Sequence, residues 1–220
     1  MMNCNFRRWA IALLCLAFTL SALACGQASN SNSAAGEAGG ANIKTGIKPE
    51  ADAEAAVIET DFGRIVIELY PNIAPQMVAR FKKLASEGFY NGTAIHRIDP
   101  ELGIIQGGDP NSKDNDPAND GMGNSAEPNL PAEFSDIEYV RGTVGAARSQ
   151  SEDSANSQFY ITLKRQPAFD KRYTVFGRVI EGINNADIIS TAPLAEGTQD
   201  RPADKILVKS ITLAPRANFK

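Results

Sequence analysis

The sequence predicts a mainly β domain, an antiparallel β-barrel or a β-rich α+β fold, and three observations predict it. Short apolar runs bounded by Gly, Pro, Asn and Asp recur through residues 55–213, the pattern of strands separated by turns. Only two stretches carry apolar residues at helical spacing. Strands and helices do not alternate as they do in parallel βαβ folds. At 220 residues, 43% hydrophobic and 22% charged, the chain reads as one globular domain with something appended. Its formal net charge of −4 comes from 22 basic and 26 acidic residues, so no basic face and no nucleic-acid partner are expected.

The appended part is at the front. Arg7-Arg8 precede an apolar run, Trp9–Leu20, and then Ser21-Ala22-Leu23-Ala24-Cys25-Gly26. A basic start, a short apolar stretch and small residues at Ala22 and Ala24 make residues 1–24 a secretory signal peptide, too short to span a membrane. Cleavage after Ala24 fits two enzymes. Ala22-x-Ala24 suits ordinary signal peptidase, while Leu23-Ala24-Cys25 resembles a bacterial lipobox with its leucine one place nearer the cysteine than usual. Cys4 and Cys15 lie in the leader, which leaves Cys25 alone and no internal disulfide. That arithmetic favours the lipobox, with a palmitate-bearing lipid on Cys25 tying an exported protein to a membrane at the periplasm or cell surface. Arg7-Arg8 lacks the residues that usually follow a twin-arginine signal. Gln27–Ala41 is Ser, Asn, Ala and Gly with one charge and no apolar period, so residues 25–52 read as lipidated terminus and flexible linker. The folded domain is expected over 53–215, with a short tail at 216–220.

Within the domain, Ala55–Thr60 and Arg64–Leu69 form a hairpin about a three-residue turn, Asp61-Phe62-Gly63. Pro71 stops the second strand. A helix starts at Ala74-Pro75, carries Val78, Phe81, Leu84 and Ala85 on one face, and ends at Gly88. Two strands follow, Ala94–Ile98 and Gly103–Gln106. The first holds the only histidine, His96, with Arg97 directly after it, and alternation puts Arg97 and Asp99 on the face opposite His96. A guanidinium on one strand beside a glutamine on the next is a device for holding a carbonyl or polarising an amide. Pro110–Pro131 is a long polar loop, which in a compact domain is more often functional than not. Strands Gly142–Ala147, Gln158–Leu163 and Thr174–Val179, a helix Ile183–Ser190 and a last strand Ile206–Leu213 complete the chain.

Four segments, in order, resemble the cyclophilin family of peptidyl-prolyl cis–trans isomerases. They are His96-Arg97-Ile98 with Gln106-Gly107-Gly108-Asp109-Pro110; Gly142-Thr143-Val144 leading to Ala147-Arg148-Ser149; Ser157-Gln158-Phe159-Tyr160-Ile161; and Phe169-Asp170-Lys171-Arg172-Tyr173-Thr174-Val175-Phe176-Gly177. The resemblance implies a closed eight-stranded antiparallel barrel capped by two α-helices. It implies acceleration of X–Pro rotation in unfolded or flexible exported proteins, without cofactor or metal. By match to the family's motifs, Arg97 acts on the prolyl amide and Gln106 positions it. Ala147, Arg148 and Ser149 pair with substrate backbone, Gly121 flanks the groove, and Gln158 is a second polar contact. Ile104, Leu102, Tyr160, Phe169 and Tyr173 form the proline pocket.

The chain departs from the family pattern in three places. The stretch Glu101-Leu102-Gly103-Ile104-Ile105 is one residue longer than usual, so Leu102 or Gly103 stands where a pocket phenylalanine is expected. Ala168 replaces the tryptophan of cyclosporin-sensitive members, which predicts weak binding of that drug. The Asn111–Asn124 loop is longer than in compact members.

Rival readings rest on weaker patterns. With one histidine and no Gly-x-Ser-x-Gly, a catalytic triad or zinc site is not supported, and His96 reads as structural. Asp116, Asp120, Gly121 and Glu127 have EF-hand spacing, but Ala118 occupies a ligand position and Pro128 and Pro131 exclude the following helix. The alternative function is a proline-peptide binding module or chaperone with little turnover.

Overall fold

This computed structural model of the chain describes residues 43–219. The expected signal peptide, Cys25 and the first part of the linker lie outside the described residues, as does Lys220.

Two antiparallel strands open the domain, β1 (Glu54–Thr60) and β2 (Gly63–Leu69). Thr60 pairs with Gly63, so the turn is the two residues Asp61-Phe62 rather than three. Gly63 closes it with φ +107°, a conformation that a side chain would strain. Helix α1 (Pro75–Ser86) buries Met77, Val78, Phe81, Leu84 and Ala85. Ala74 before it offers no capping side chain, and the first turn is capped instead by Glu133, whose carboxylate accepts the Gln76 and Met77 N–H groups at 3.1 and 2.9 Å. Strands β3 (Ala94–Ile95), β4 (Arg97–Asp99), β5 (Ile104–Gly107), β6 (Thr143–Ala146), β7 (Phe159–Thr162) and β8 (Val175–Glu181) follow. Helix α2 (Ile183–Ser190) and strand β9 (Ile206–Pro215) end the fold.

The nine strands form one antiparallel sheet in the order β3-β9-β1-β2-β8-β6-β7-β5-β4. Eight were expected. The ninth arises because Ala94–Asp99 breaks at His96: its first half pairs with β9 (Ala94 with Leu207) and its second with β5 (Arg97 with Gln106). The hydrogen-bonded ladder does not close into a ring; its two ends are the consecutive halves of one stretch of chain. His96 spans the break, its N–H donating to the Gln106 carbonyl at 3.1 Å.

The interior divides in two. A main core packs Phe81, Tyr90, Phe159 and Phe176 among aliphatic side chains of both helices and the sheet. A second apolar cluster joins Tyr70, Ile73, Ile104, Tyr139, Tyr160 and Val175, with Leu102, Ala147, Phe169 and Tyr173 partly buried against it. Residues 43–52, expected as linker, are tied to the flank of this second cluster. The Lys44 N–H donates to the Phe134 carbonyl at 2.9 Å, the Asp136 N–H to the Lys44 carbonyl at 2.9 Å, and Lys44 Nζ to the Ile73 carbonyl at 2.6 Å.

Candidate active site

The second cluster floors a groove of about 600 Å³. Arg97, Leu102, Ile104, Gln106, Gly121, Ala147, Arg148, Tyr160, Phe169 and Tyr173 all line it. An adjoining depression of about 320 Å³ adds Ser149 and Gln158. Every residue matched from the motifs therefore comes to one place, from five separate stretches of chain.

Tyr160 is 3% exposed and is ringed edge-on by Phe169 at 5.6 Å and Tyr173 at 6.0 Å. It stacks on the buried Tyr139 at 5.9 Å. Burial pushes the Tyr160 phenol well above the usual tyrosine range, so the floor stays neutral. Most of the stretch that is longer than the family pattern forms the turn between β4 and β5, and Arg97 pairs with Gln106 across it. Leu102 is pinned there, its N–H donating to Asp99 Oδ1 at 2.8 Å and its carbonyl accepting from Gln166 Nε2. It packs against the aromatic floor where a phenylalanine was missed in the sequence.

Arg97 stands at the groove's polar side. Its Nε donates to Asp200 Oδ2 at 2.8 Å, Nη2 to Asp99 Oδ2 at 2.7 Å, and Nη1 to Gln106 Oε1 at 3.4 Å. A guanidinium has five N–H donors, so two remain without a partner among the described residues. Gln106 in turn donates from Nε2 to Gln158 Oε1 at 3.0 Å. Both donors of Gln158 serve the long loop, bonding the Gly121 and Gly123 carbonyls at 3.0 and 2.8 Å. The buried Asp109 holds the same loop, accepting the N–H groups of Gly121 and, at 2.8 Å, Asn111. Gln158 thus holds the groove's rim rather than offering a free donor.

On the opposite rim, Arg148 lies over the Tyr173 ring at 4.5 Å and donates to the carbonyls of Ser149 and Arg172 at 3.0 and 3.1 Å. The Ala147 N–H is taken by the Gln158 carbonyl at 3.0 Å and the Ser149 N–H by Ser154 Oγ at 2.9 Å. Among the described residues no hydrogen bond engages the Arg148 N–H. Ala168, next to the groove-lining Phe169 in the chain, is exposed.

His96 is 7% exposed, and neither ring nitrogen closes a hydrogen bond among the described residues. Burial holds its pKa below the usual histidine value. The structural role read for it therefore does not rest on a side-chain hydrogen bond among the described residues. What links it to β5 is its backbone N–H. Of the EF-hand-spaced residues, Glu127 pairs with Lys83 across the fold. Motif reading missed Pro117, Asp120, Thr198, Asp200 and Arg201, which also line the groove.

Residues 55–213 match the family described as cyclophilin type peptidyl-prolyl cis–trans isomerase/CLD. A probable peptidyl-prolyl cis-trans isomerase of Brucella suis is 44% identical over 166 residues, covering 73% of this chain and 84% of its own. The chain belongs to the cyclophilin family. A peptidyl-prolyl cis-trans isomerase-like 1 of Bos taurus is 35% identical over 154 residues, covering 69% of this chain and 87% of its own. Among solved structures, a Cryptosporidium parvum cyclophilin-type isomerase, crystallised in the presence of the dipeptide Ala-Pro, superposes with a TM-score of 0.64. It is 27% identical and covers 73% of this chain and 98% of its own.

Proposed function

We propose that this cyclophilin-type isomerase catalyses X–Pro rotation in the groove floored by Tyr160, with Arg97 as the catalytic group. Rotation about a prolyl amide takes tens to hundreds of seconds because resonance must break, and nitrogen gains a lone pair as it does. A donor aimed at that nitrogen lowers the barrier selectively. The two uncommitted N–H donors of Arg97, beside an apolar floor, carry this reading. An acceleration of about five decades requires roughly 7 kcal/mol, a few of which a fixed guanidinium supplies and peptide orientation the rest. Leu102, Ile104, Tyr160, Phe169 and Tyr173 hold the proline ring. The free Arg148 N–H pairs with the substrate backbone beside Ala147 and Ser149. Gln106 reaches Arg97 from β5 by one long bond of 3.4 Å, and Gln158 and Gly121 shape the rim.

A protease-coupled assay on an Ala-Pro peptide tests this. The wild type accelerates isomerisation and Arg97→Ala loses roughly 100-fold or more, the scale of removing one aimed donor. No acceleration at micromolar protein, with peptide still bound, would leave a proline-peptide binding module or chaperone. Ala168, in place of tryptophan and next to the groove-lining Phe169 in the chain, accords with weak cyclosporin binding. A submicromolar dissociation constant would overturn that reading.

The same proposal places the enzyme outside the cytoplasm, exported by residues 1–24 and anchored by lipid on Cys25, with 25–52 as the lipidated N-terminal segment, its residues 43–52 docked on the domain, and 53–215 as the catalytic domain. Labelled palmitate incorporated into the wild type and absent from Cys25→Ser supports the anchor, and label surviving in Cys25→Ser sinks it. The closed barrel belongs to the proposal too, supported by the two ends of the sheet being halves of one strand-like stretch.

A further inference from the structure

We infer that Asp200 is a positioning residue for Arg97, and that residues 193–203 form a fixed strap whose task at the groove is to aim the guanidinium. The inference rests on Arg97 being the catalytic group.

Motif matching assigns the bracing of Arg97 to Gln106, but the geometry does not. The Gln106 bond is 3.4 Å, and its amide is drawn the other way by Gln158 at 3.0 Å. Such a long bond orients a side chain weakly. Two carboxylates sit closer, Asp99 at 2.7 Å and Asp200 at 2.8 Å. They differ in kind. Asp99 is two residues from Arg97 on the same strand and the same face, so its bond fixes Arg97 only against its own backbone. Asp200 comes from 103 residues away and takes the Nε proton. A bond at Nε fixes the plane of the guanidinium about the last side-chain torsions. Nη1 and Nη2, each with one bond to Gln106 or Asp99, keep one further N–H apiece.

Asp200 is itself held by backbone. Its carbonyl accepts the Ile98 N–H at 2.6 Å, directly beside Arg97. The strap is closed on itself by a bridge between Leu194 and Pro202 and by the Ala195 and Ala203 N–H groups donating to Arg201 and Pro193 at 2.9 and 2.8 Å. Thr198 Oγ1 donates to the Ala195 carbonyl at 2.8 Å. None of these bonds uses the Asp200 side chain. Replacing that side chain therefore releases Arg97 and leaves the strap docked.

The test compares Asp200→Ala and Asp200→Asn with Arg97→Ala in the full chain. Asparagine keeps an acceptor for Nε and discards the charge. Asp200→Ala is expected to lower kcat about 10- to 100-fold, the scale of a misaimed catalytic group, with KM and thermal midpoint little changed. Asp200→Asn is expected to recover most of the rate. The Arg97 Nε–H resonance, slow to exchange in the wild type, should exchange rapidly in Asp200→Ala and slowly in Asp200→Asn. Full activity in Asp200→Ala, or an Asn variant as impaired as the Ala variant, would overturn the inference while Arg97→Ala remains inactive. An active Arg97→Ala would instead overturn the site reading itself.

Discussion

A methyl group at Gly145 would meet Tyr160 Cζ at 2.5 Å and the hydroxyls of Tyr139 and Tyr160 at 2.6 Å. The floor of the groove is therefore set by the absence of a side chain on the neighbouring strand. Gly145→Ala should cost about 1–3 kcal/mol in urea unfolding, the scale of overpacking, because ring and backbone must part. It should also weaken binding of an Ala-Pro peptide, since Tyr160 moves toward the groove. A variant as stable as the wild type would show that the rings have room to retreat. Arg97, its proposed partners and the aromatic floor were legible in the sequence, because motif order and strand alternation bear on them directly. Alternation put Asp99 on the face of Arg97, but its bond to the guanidinium appears only in the fold. Asp200 was not legible. Nothing local distinguishes it, and its meaning comes from the strap that brings it back to β4.

At the scale of elements, what was legible followed local apolar pattern. The second helix has the expected bounds, Ile183–Ser190, and the first starts at the proline that opens it. The break at His96 has no local sign, because it occurs where one stretch changes partners from β9 to β5. The docking of residues 43–52 was hidden for a related reason: its hydrogen bonds run largely through main-chain groups, which composition does not report. Besides the Lys44 bonds, the Gly46 N–H donates to Asp136 at 2.8 Å, Glu50 N–H to Asn72 at 3.0 Å, and Asn72 to the Lys48 carbonyl at 2.8 Å. Each contributes about 0.5–1.5 kcal/mol net, partly offset by the entropy of ordering a short segment. A chain beginning at residue 53 should thus be about 1–3 kcal/mol less stable in urea than one beginning at residue 43. Because Lys44 bonds to Ile73 in the cluster beneath the groove, peptide affinity should fall with it. Equal stability of the two chains would return this segment to the status of a linker.

For the molecule as a whole, His96 makes folding sensitive to pH above the carboxylate range. Burial dominates its environment and disfavours the charged imidazole; Asp109 and the Ala94 carbonyl favour the proton, Arg97 opposes it, and Asp200 favours it again, without overcoming the loss of water. The folded pKa is therefore below the unfolded value of about 6.5. Between the two, the unfolded chain binds more protons than the folded one, so stability rises with pH. It is complete above about pH 6.5 and declines as pH falls through that value toward the folded pKa, by at most about 1.4 kcal/mol per pH unit for one proton. Lowered carboxylates act later. Asp187, held down by its hydrogen bond from Arg141, loses its contribution only as pH falls below about 4. Asp120 has the opposite sign, since burial and then Asp109 and Asp114 raise its pKa and make its folded form the better proton acceptor. Thermal midpoints at pH 8, 7, 6 and 5 separate these effects. The wild type should hold its midpoint from pH 8 to 7 and lose it between 6.5 and 5, and His96→Gln should be flat over the same window. With the only histidine of the chain removed, a slope that persists in His96→Gln would have to come from a carboxylate, and burial of His96 would not be its cause.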